Sequence, residues 1–302
     1  MRADRGLLNE NMNNTNYHIL EFLEEWAPQS TKLEYDNVGL LIGDESQEIT
    51  KAVVCLDVTP EVIEEAIAVQ ADLILAHHPL IFRKLSRVTL SDPIGAMIYR
   101  LIRHGISLIV AHTNLDAARE GVSFVLAKQL GLQDIRFLTT CNGSAPHAAK
   151  STVESGPISG FGTLGEYPEP LDSHTFLKQV QTRLNSVGLR YSGNCDQIRK
   201  VAVCGGSGFF LADEVLKQNA DAFVTADLKY HDFFSLSPSF VLVDAGHYES
   251  EVPIVRTLCT RLTDRFPELE VLCTSVNTNP VKYFNNETPT MKKRKPANKN
   301  LC

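Results

Sequence analysis

No run of apolar residues in this 302-residue chain approaches the roughly 20 that a membrane-spanning helix needs. No Cys-x-x-Cys pair occurs among its seven cysteines, at positions 55, 141, 195, 204, 259, 273 and 302. Structural zinc held by thiolates is thereby disfavoured. An odd, unpatterned set of cysteines in a chain of this size points to a reducing setting, hence the cytoplasm. The first residues are acidic and Asn-rich and lack an apolar core segment, so they do not read as a secretory signal. Met12 is an alternative start that would make residues 1–11 a dispensable extension. Positive charge is also in short supply. The formal net charge of −7 argues against nonspecific nucleic-acid binding by the body of the protein. The exception is Lys292-Lys-Arg-Lys295, which follows Pro289 in an Asn-rich end and reads as a solvated, disordered tail. Two nucleotide-binding signatures are missing. Cys204-Gly-Gly-Ser-Gly208 follows a strand and precedes a helix, the position of a backbone nest for an anion. It lacks the Lys and Ser/Thr of a P-loop, and its spacing is not that of the dinucleotide fingerprint. Gly160-Phe-Gly-Thr-Leu-Gly165 reads better as a Gly-containing strand than as a phosphate loop.

What is present is a globular composition, 43% hydrophobic and 22% charged, in a chain long enough for two domains. Residues 15–27 predict a helix with Ile19, Leu20, Leu23 and Trp26 on one face and Pro28 after it. Leu33 to Gly43 predicts a loop feeding a strand. Its Asp36-Asn37 and glycines suit both plain turn chemistry and a substrate-side loop, and both readings stand. Strands are expected at Ala52–Leu56, Leu73–Ala76 and Ser107–Ala111, alternating with helices opened by Thr59-Pro60-Glu61 and Ser91-Asp92-Pro93. A further helix spans about 120–130. This alternation predicts an α/β fold with a largely parallel or mixed sheet flanked by helices.

The second half echoes the first. Lys51-Ala-Val-Val-Cys55 returns as Lys200-Val-Ala-Val-Cys204, and Ala71-Asp72 as Asp221-Ala222. His112 precedes Asp116 by four residues, as His247 precedes Glu251. Two similar α/β domains are therefore expected, with a site in the cleft between them. Residues 1–14 would be a flexible extension, 15–131 the first domain, 132–157 a connector, 158–284 the second domain and 285–302 a basic tail. The helix after Glu251 is expected to pack on the first domain.

Asp72-Leu-Ile-Leu-Ala-His77-His78-Pro79 is the stretch that carries chemistry. A buried strand ends in two imidazoles, and Pro79 stops it, lacking an N–H and having a fixed φ. Open α/β sheets bind ligands at such carboxyl ends. Imidazole and carboxylate together suit zinc, iron, manganese, cobalt or nickel. His77, His78, Asp116, His247 and Glu251 are the candidate ligands of two divalent ions, with Glu251 the bridge that offsets their repulsion. His112 is placed beside them as a group orienting a ligand. A net positive charge would remain at such a site and would favour an anionic small molecule. Lys229, His231 and Arg83, with Lys84, are candidate substrate contacts. His18, His104, His147 and His174 are not assigned to the site.

Together these residues resemble the NIF-three-like family, which includes GTP cyclohydrolase 1 type 2 homologues. The resemblance runs from about residue 17 to 284. It is carried by Asp36-Asn-Val-Gly-Leu40, Ala76-His-His-Pro79, His112-Thr-Asn-Leu-Asp116, Gly205-Gly-Ser-Gly208, Thr225-Ala-Asp-Leu-Lys-Tyr-His231 and Asp244-Ala-Gly-His-Tyr-Glu-Ser-Glu251. It implies two α/β domains of similar fold, a dinuclear metal centre ligated by His77, His78, Asp116, His247 and Glu251, and a toroidal homohexamer. It also implies metal-dependent hydrolysis of a nucleotide, opening the purine ring of GTP. A metal-dependent phosphoesterase and a non-enzymatic metal-binding scaffold are the alternatives. The linker is too short for the extra domain that some members insert, and the basic tail lies outside the family pattern.

Overall fold

The computed structural model describes residues 14–140 and 159–284. The expected N-terminal extension up to Asn13, the heart of the connector with its Gly143–Pro146 and Ser155–Pro157 stretches, His147, and the basic tail lie outside the described residues. In chain order the elements are α1 (Asn16–Trp26), β1 (Gly39–Ile42), β2 (Lys51–Cys55), α2 (Pro60–Ala68), β3 (Leu73–Ala76), α3 (Pro93–Arg103), β4 (Ser107–Val110), α4 (Thr113–Asp116), α5 (Val122–Leu130) and β5 (Gln133–Phe137). There follow β6 (Thr163–Leu171), α6 (Ser173–Arg183), β7 (Arg190–Ser192), β8 (Ile198–Ser207), α7 (Ala212–Lys217), β9 (Ala222–Ala226), β10 (Val241–Asp244), α8 (His247–Glu251), α9 (Pro253–Arg265) and β11 (Glu270–Cys273).

The strands form two mixed sheets, in the orders β1-β4-β3-β2-β11 and β5-β6-β8-β9-β10-β7. In each, three consecutive strands run parallel, β2-β3-β4 and β8-β9-β10, and an antiparallel strand, β1 or β7, closes the side of the third. The other flank differs: β11 lies parallel to β2, whereas β6 lies antiparallel to β8. The echoed aspartates do the same job twice. Asp72 accepts from the backbone N–H groups of Thr50 and Lys51 at the start of β2, and Asp221 accepts from those of Arg199 and Lys200 in β8. Each carboxylate pins the neighbouring strand's register from the start of its own.

Local chemistry explains the framing helices. Thr59 caps α2 by accepting from Val62 N–H, Asp92 caps α3 by accepting from Gly95 N–H, and both helices have proline in the first turn. β3 is buried along its whole length, as are β4 and β10. Such strands read as continuous apolar runs because both sheet faces are covered.

Three stretches depart from the expected boundaries. Gln133–Phe137, expected in the connector, is β5, a strand of the second sheet. β11, expected with the second half, extends the first sheet; α9, expected against the first domain, buries Ile254, Val255, Leu258 and Leu262 in the same core as Ile19, Leu23 and Val54. Ser207 and the glycines before it belong to β8, so no backbone nest forms there. Their N–H groups are already used: Gly205 donates to Ser123 Oγ, Gly206 to Ser250 Oγ and Gly208 to Thr225 Oγ1. Cys259 and Cys273 are joined by a disulfide between α9 and β11, a pairing that their spacing did not signal. Among the described residues no helix is long and apolar enough to cross a membrane.

Candidate metal centre

Three strand ends supply the centre. Beyond β3, the N–H groups of His77 and His78 still donate to Cys55 and Leu56 carbonyls, so both imidazoles leave from a fixed backbone. Beyond β4, His112 opens the short helix α4, which ends in Asp116. Beyond β10, Asp244 accepts from the N–H groups of Leu228 and Gly246 and shapes the turn into α8. Gly246 has φ +91°, and a Cβ there would lie 2.2 Å from Glu249 Oε2. The turn that launches His247 therefore needs glycine.

Four imidazoles converge. Ring centroids are 4.8 Å apart for His77 and His78, 5.2 Å for His77 and His112, 5.4 Å for His78 and His112, and 5.3 Å for His78 and His247. Each ring commits its Nδ1 to an oxygen acceptor outside the cluster. His77 donates to the Ala111 carbonyl at 2.8 Å, His78 to Asp57 at 2.7 Å, His112 to Asp36 at 2.8 Å and His247 to Asp227 at 2.7 Å. A neutral imidazole that donates from Nδ1 keeps its lone pair on Nε2. The four Nε2 atoms are thus left as donors to a cation, and outer oxygens of this kind are the usual means of fixing a ligating histidine.

The carboxylates complete three candidate groups, each with its donor atoms within 4.8 Å of one another: His77, His78 and His112; His78, His247 and Glu251; His77, Asp116 and Glu251. Glu251 Oε2 lies 3.0 Å from both His78 Nε2 and His247 Nε2, and His77 Nε2 lies 3.7 Å from Asp116 Oδ1. His77 Nε2 and Asp116 Oδ1 are buried without a hydrogen-bond partner, and the buried Glu251 Oε2 faces the Nε2 atoms of His78 and His247. Buried polar atoms are rarely left unpartnered, and the two beside Glu251 fit a divalent cation. Donors of this kind suit several divalent metals.

The electrostatics agree. Burial holds the His77 pKa down at about 3, so this ring is neutral and ready to ligate. Burial opposes protonation of His78 and His247 too. The carboxylates of Asp57 and Glu251 outweigh it for His78, raising its pKa to about 9, and those of Asp227 and Glu251 raise His247 to about 10. Burial, then the Glu251 charge, pushes Asp116 well above the carboxylate range. For Glu251 burial pushes upward, but His247 and His78 overcome it and hold the group ionised. A cation would replace the protons on His78 and His247 and would relieve Asp116.

The structure gathers His77, His78, Asp116, His247 and Glu251 into one place and gives His112 a donor position of its own. Three acids escaped the sequence reading as site residues. Sequence alone gives Asp57 no role, places Asp227 only within the Thr225–His231 motif, and leaves Asp36 between turn and substrate loop. Asp36 is buried and accepts from Thr113 N–H at 3.0 Å and Thr113 Oγ1 at 2.5 Å as well as from His112. Beside the cluster lies a cavity of about 370 Å³, bounded by His78, His247, Asp57, Asp227, Arg190 and the segment around Asn279. Arg190 is the one arginine or lysine among the described residues that line it, held by Asp244 and the Leu228 carbonyl. Arg83, Lys84, Lys229 and His231 are exposed and do not line this cavity.

Comparison with known proteins places this geometry in context. The family model described as Duf34/NIF3 (NGG1p interacting factor 3) matches residues 15–280. A Clostridium perfringens protein named GTP cyclohydrolase 1 type 2 homolog is 32% identical over 271 residues, covering 88% of this chain and 98% of its own. A Clostridium acetobutylicum protein of the same name is 29% identical over 273 residues, with 88% and 97% coverage. A crystal structure of a Staphylococcus aureus protein superposes with a TM-score of 0.80 at 29% identity, covering 90% of this chain and 100% of that one.

Proposed function

Because this chain belongs to the Duf34/NIF3 (NGG1p interacting factor 3) family, we propose that its cluster is a dinuclear metal centre serving hydrolysis of a purine nucleotide. The carrying observation is that Glu251 is shared between two donor groups, one with His78 and His247, the other with His77 and Asp116. A shared carboxylate is what a pair of cations requires at close range. His78, His247 and Glu251 would hold one ion, His77, Asp116 and Glu251 the other, and His112 would complete the His77–His78 side. Bound there, zinc, iron, manganese, cobalt or nickel would supply Lewis acidity and lower the pKa of water.

The chain's own groups do the rest. Ala111 O, Asp57, Asp36 and Asp227 hold the imidazoles by Nδ1 and keep every Nε2 free. The adjoining cavity is within the range of small-ligand sites, roughly 300–1,000 Å³. Its lining adds Arg190 to the anion-contact candidates Lys229, His231 and Arg83. The substrate class follows the name of the relatives, GTP cyclohydrolase 1 type 2 homolog. We extend the proposal to the fold's two similar α/β halves with the centre in the cleft between them, and to a homohexameric assembly, which sedimentation of the purified protein would test.

The test of function is incubation of metal-loaded protein with GTP while purine absorbance and phosphate release are followed together. Metal-dependent loss of the ring chromophore, abolished in His77→Ala, is the expected result. Phosphate release with the chromophore intact would replace ring opening by phosphoester hydrolysis on the same centre. Full metal occupancy with neither change, across a nucleotide panel, would point to a metal-binding scaffold.

A further inference from the structure

After β11 the chain does not end its involvement with the site. Residues 274–283 run back across both sheets' loops as an irregular strap with three side-chain anchors. Thr274 and Ser275 bond Glu65 on α2. Asn279 donates from Nδ2 to Glu249 of α8 at 3.0 Å. Between them, Thr278 donates from Oγ1 to Asp57 Oδ2 at 2.6 Å.

Asp57 is the carboxylate that holds His78. Its Oδ1 takes the proton-bearing Nδ1 of His78 at 2.7 Å and its Oδ2 takes the Thr278 hydroxyl, so its two oxygens face two different partners. The side chain is about a third exposed, so packing alone does not fix its rotation. Nothing else among the described residues bonds Asp57 Oδ2. Without the Thr278 hydroxyl the carboxylate could turn, and the His78 ring with it. None of the other three histidines has its Nδ1 acceptor bonded by this strap: Ala111 O is backbone, Asp36 is buried and held by Thr113, and Asp227, on the loop after β9, is bonded by His247 and by no described residue of the strap.

Resting on the metal-centre reading above, we propose that Thr278 is a positioning residue, which fixes His78 toward its cation through Asp57. Through Thr278 the strap thereby makes the metal position that His78 serves depend on the C-terminal segment. The contribution is directional: the hydroxyl matters, and the β-branched shape of threonine does not.

Cobalt(II) is the probe, since its visible bands report ligand geometry directly. The full-length protein, freed of metal, is titrated with cobalt in competition with a chelator, alongside Thr278→Val, Thr278→Ala, Thr278→Ser and Thr274→Val. Loss of the oxygen partner that orients a ligating histidine weakens metal binding by roughly 10–100-fold, and Thr278, one hydrogen bond further out behind Asp57, belongs at the lower end of that range. Thr278→Val and Thr278→Ala should therefore each weaken one of two cobalt equivalents by about 10-fold, with a shift of its visible bands, and leave the other unchanged. Thr278→Ser should behave as wild type. Thr274→Val, which loosens the strap at Glu65 without touching Asp57, should also behave as wild type. Unchanged titration and spectra in both hydroxyl-less variants, or equal weakening in Thr274→Val, would overturn the proposal alone. Failure of the wild type to take up cobalt would instead overturn the metal-centre reading on which it stands, and the proposal with it.

Discussion

A methyl group at Gly206 would lie 2.1 Å from Glu251 Oε1, and the residue has φ +59°. The left-handed backbone costs an alanine about 1–2 kcal/mol, and the clash adds displacement of the shared carboxylate. Gly206→Ala should therefore keep the fold, as read by circular dichroism, and lose most of its bound metal by elemental analysis. Asp116 offers the opposite signature. Its Oδ1 is buried without a hydrogen-bond partner, and burial and Glu251 push its pKa upward. Without metal that burial is a cost, so Asp116→Asn should stabilise the metal-free protein by on the order of 1 kcal/mol while weakening metal binding. Urea unfolding in chelator measures it. The gain should shrink as pH falls through the raised pKa of Asp116, because a protonated acid and an amide are then both neutral. At this scale the metal-ligating residue types were legible in sequence, since histidines at the ends of apolar runs stand out. Their partners were not. Asp57 is 21 residues from His78, Asp227 is 20 from His247 and Asp36 is 76 from His112. An acid takes on that role only when the fold sets it beside a ring.

α9 joins the core of the first sheet rather than the second, although it follows α8 directly. Leu258 is fully buried there among residues of α1, β2 and β3. Leu258→Ala should cost about 2–5 kcal/mol, seen as a lower urea midpoint, and should leave metal stoichiometry unchanged at denaturant concentrations where the variant is folded. The central strands β3, β4 and β10 could be read from sequence because each is a short apolar run between turn signals. β5, β7 and β11 could not. β5 and β7 are mostly exposed edge strands, and β11 is exposed at both ends. A strand that buries little has no apolar alternation to announce it, and only its pairing partner defines it. The Gly205–Gly208 run misled for a related reason. Its glycines permit close packing of α5 and α8 on β8, a Cβ at Gly205 meeting Val122 of α5 at 2.5 Å and one at Gly206 meeting Glu251 of α8, and glycine enrichment alone does not distinguish that from a phosphate loop.

Across the whole molecule, the candidate ligands come from loops of both sheets. His77, His78, His112 and Asp116 follow β3 and β4 of one, while His247 and Glu251 follow β10 of the other. A cation held by His78, His247 and Glu251 therefore braces the two sheets against each other. Ligands that bind only the native state stabilise it by mass action, about 4 kcal/mol per site at a thousandfold excess over Kd. For a chain of this size that corresponds to a rise in Tm of roughly 6 °C per site. Chelation should lower the Tm of wild-type protein by that order, reversibly on re-addition of metal, in differential scanning fluorimetry. His247→Ala removes the second sheet's imidazole from the brace and leaves His77 and Asp116 in place. Its Tm should respond to chelator by at most about half as much. An equal response in wild type and His247→Ala would mean that cation binding is confined to the first sheet's residues, and the two sheets would then be held together by packing alone.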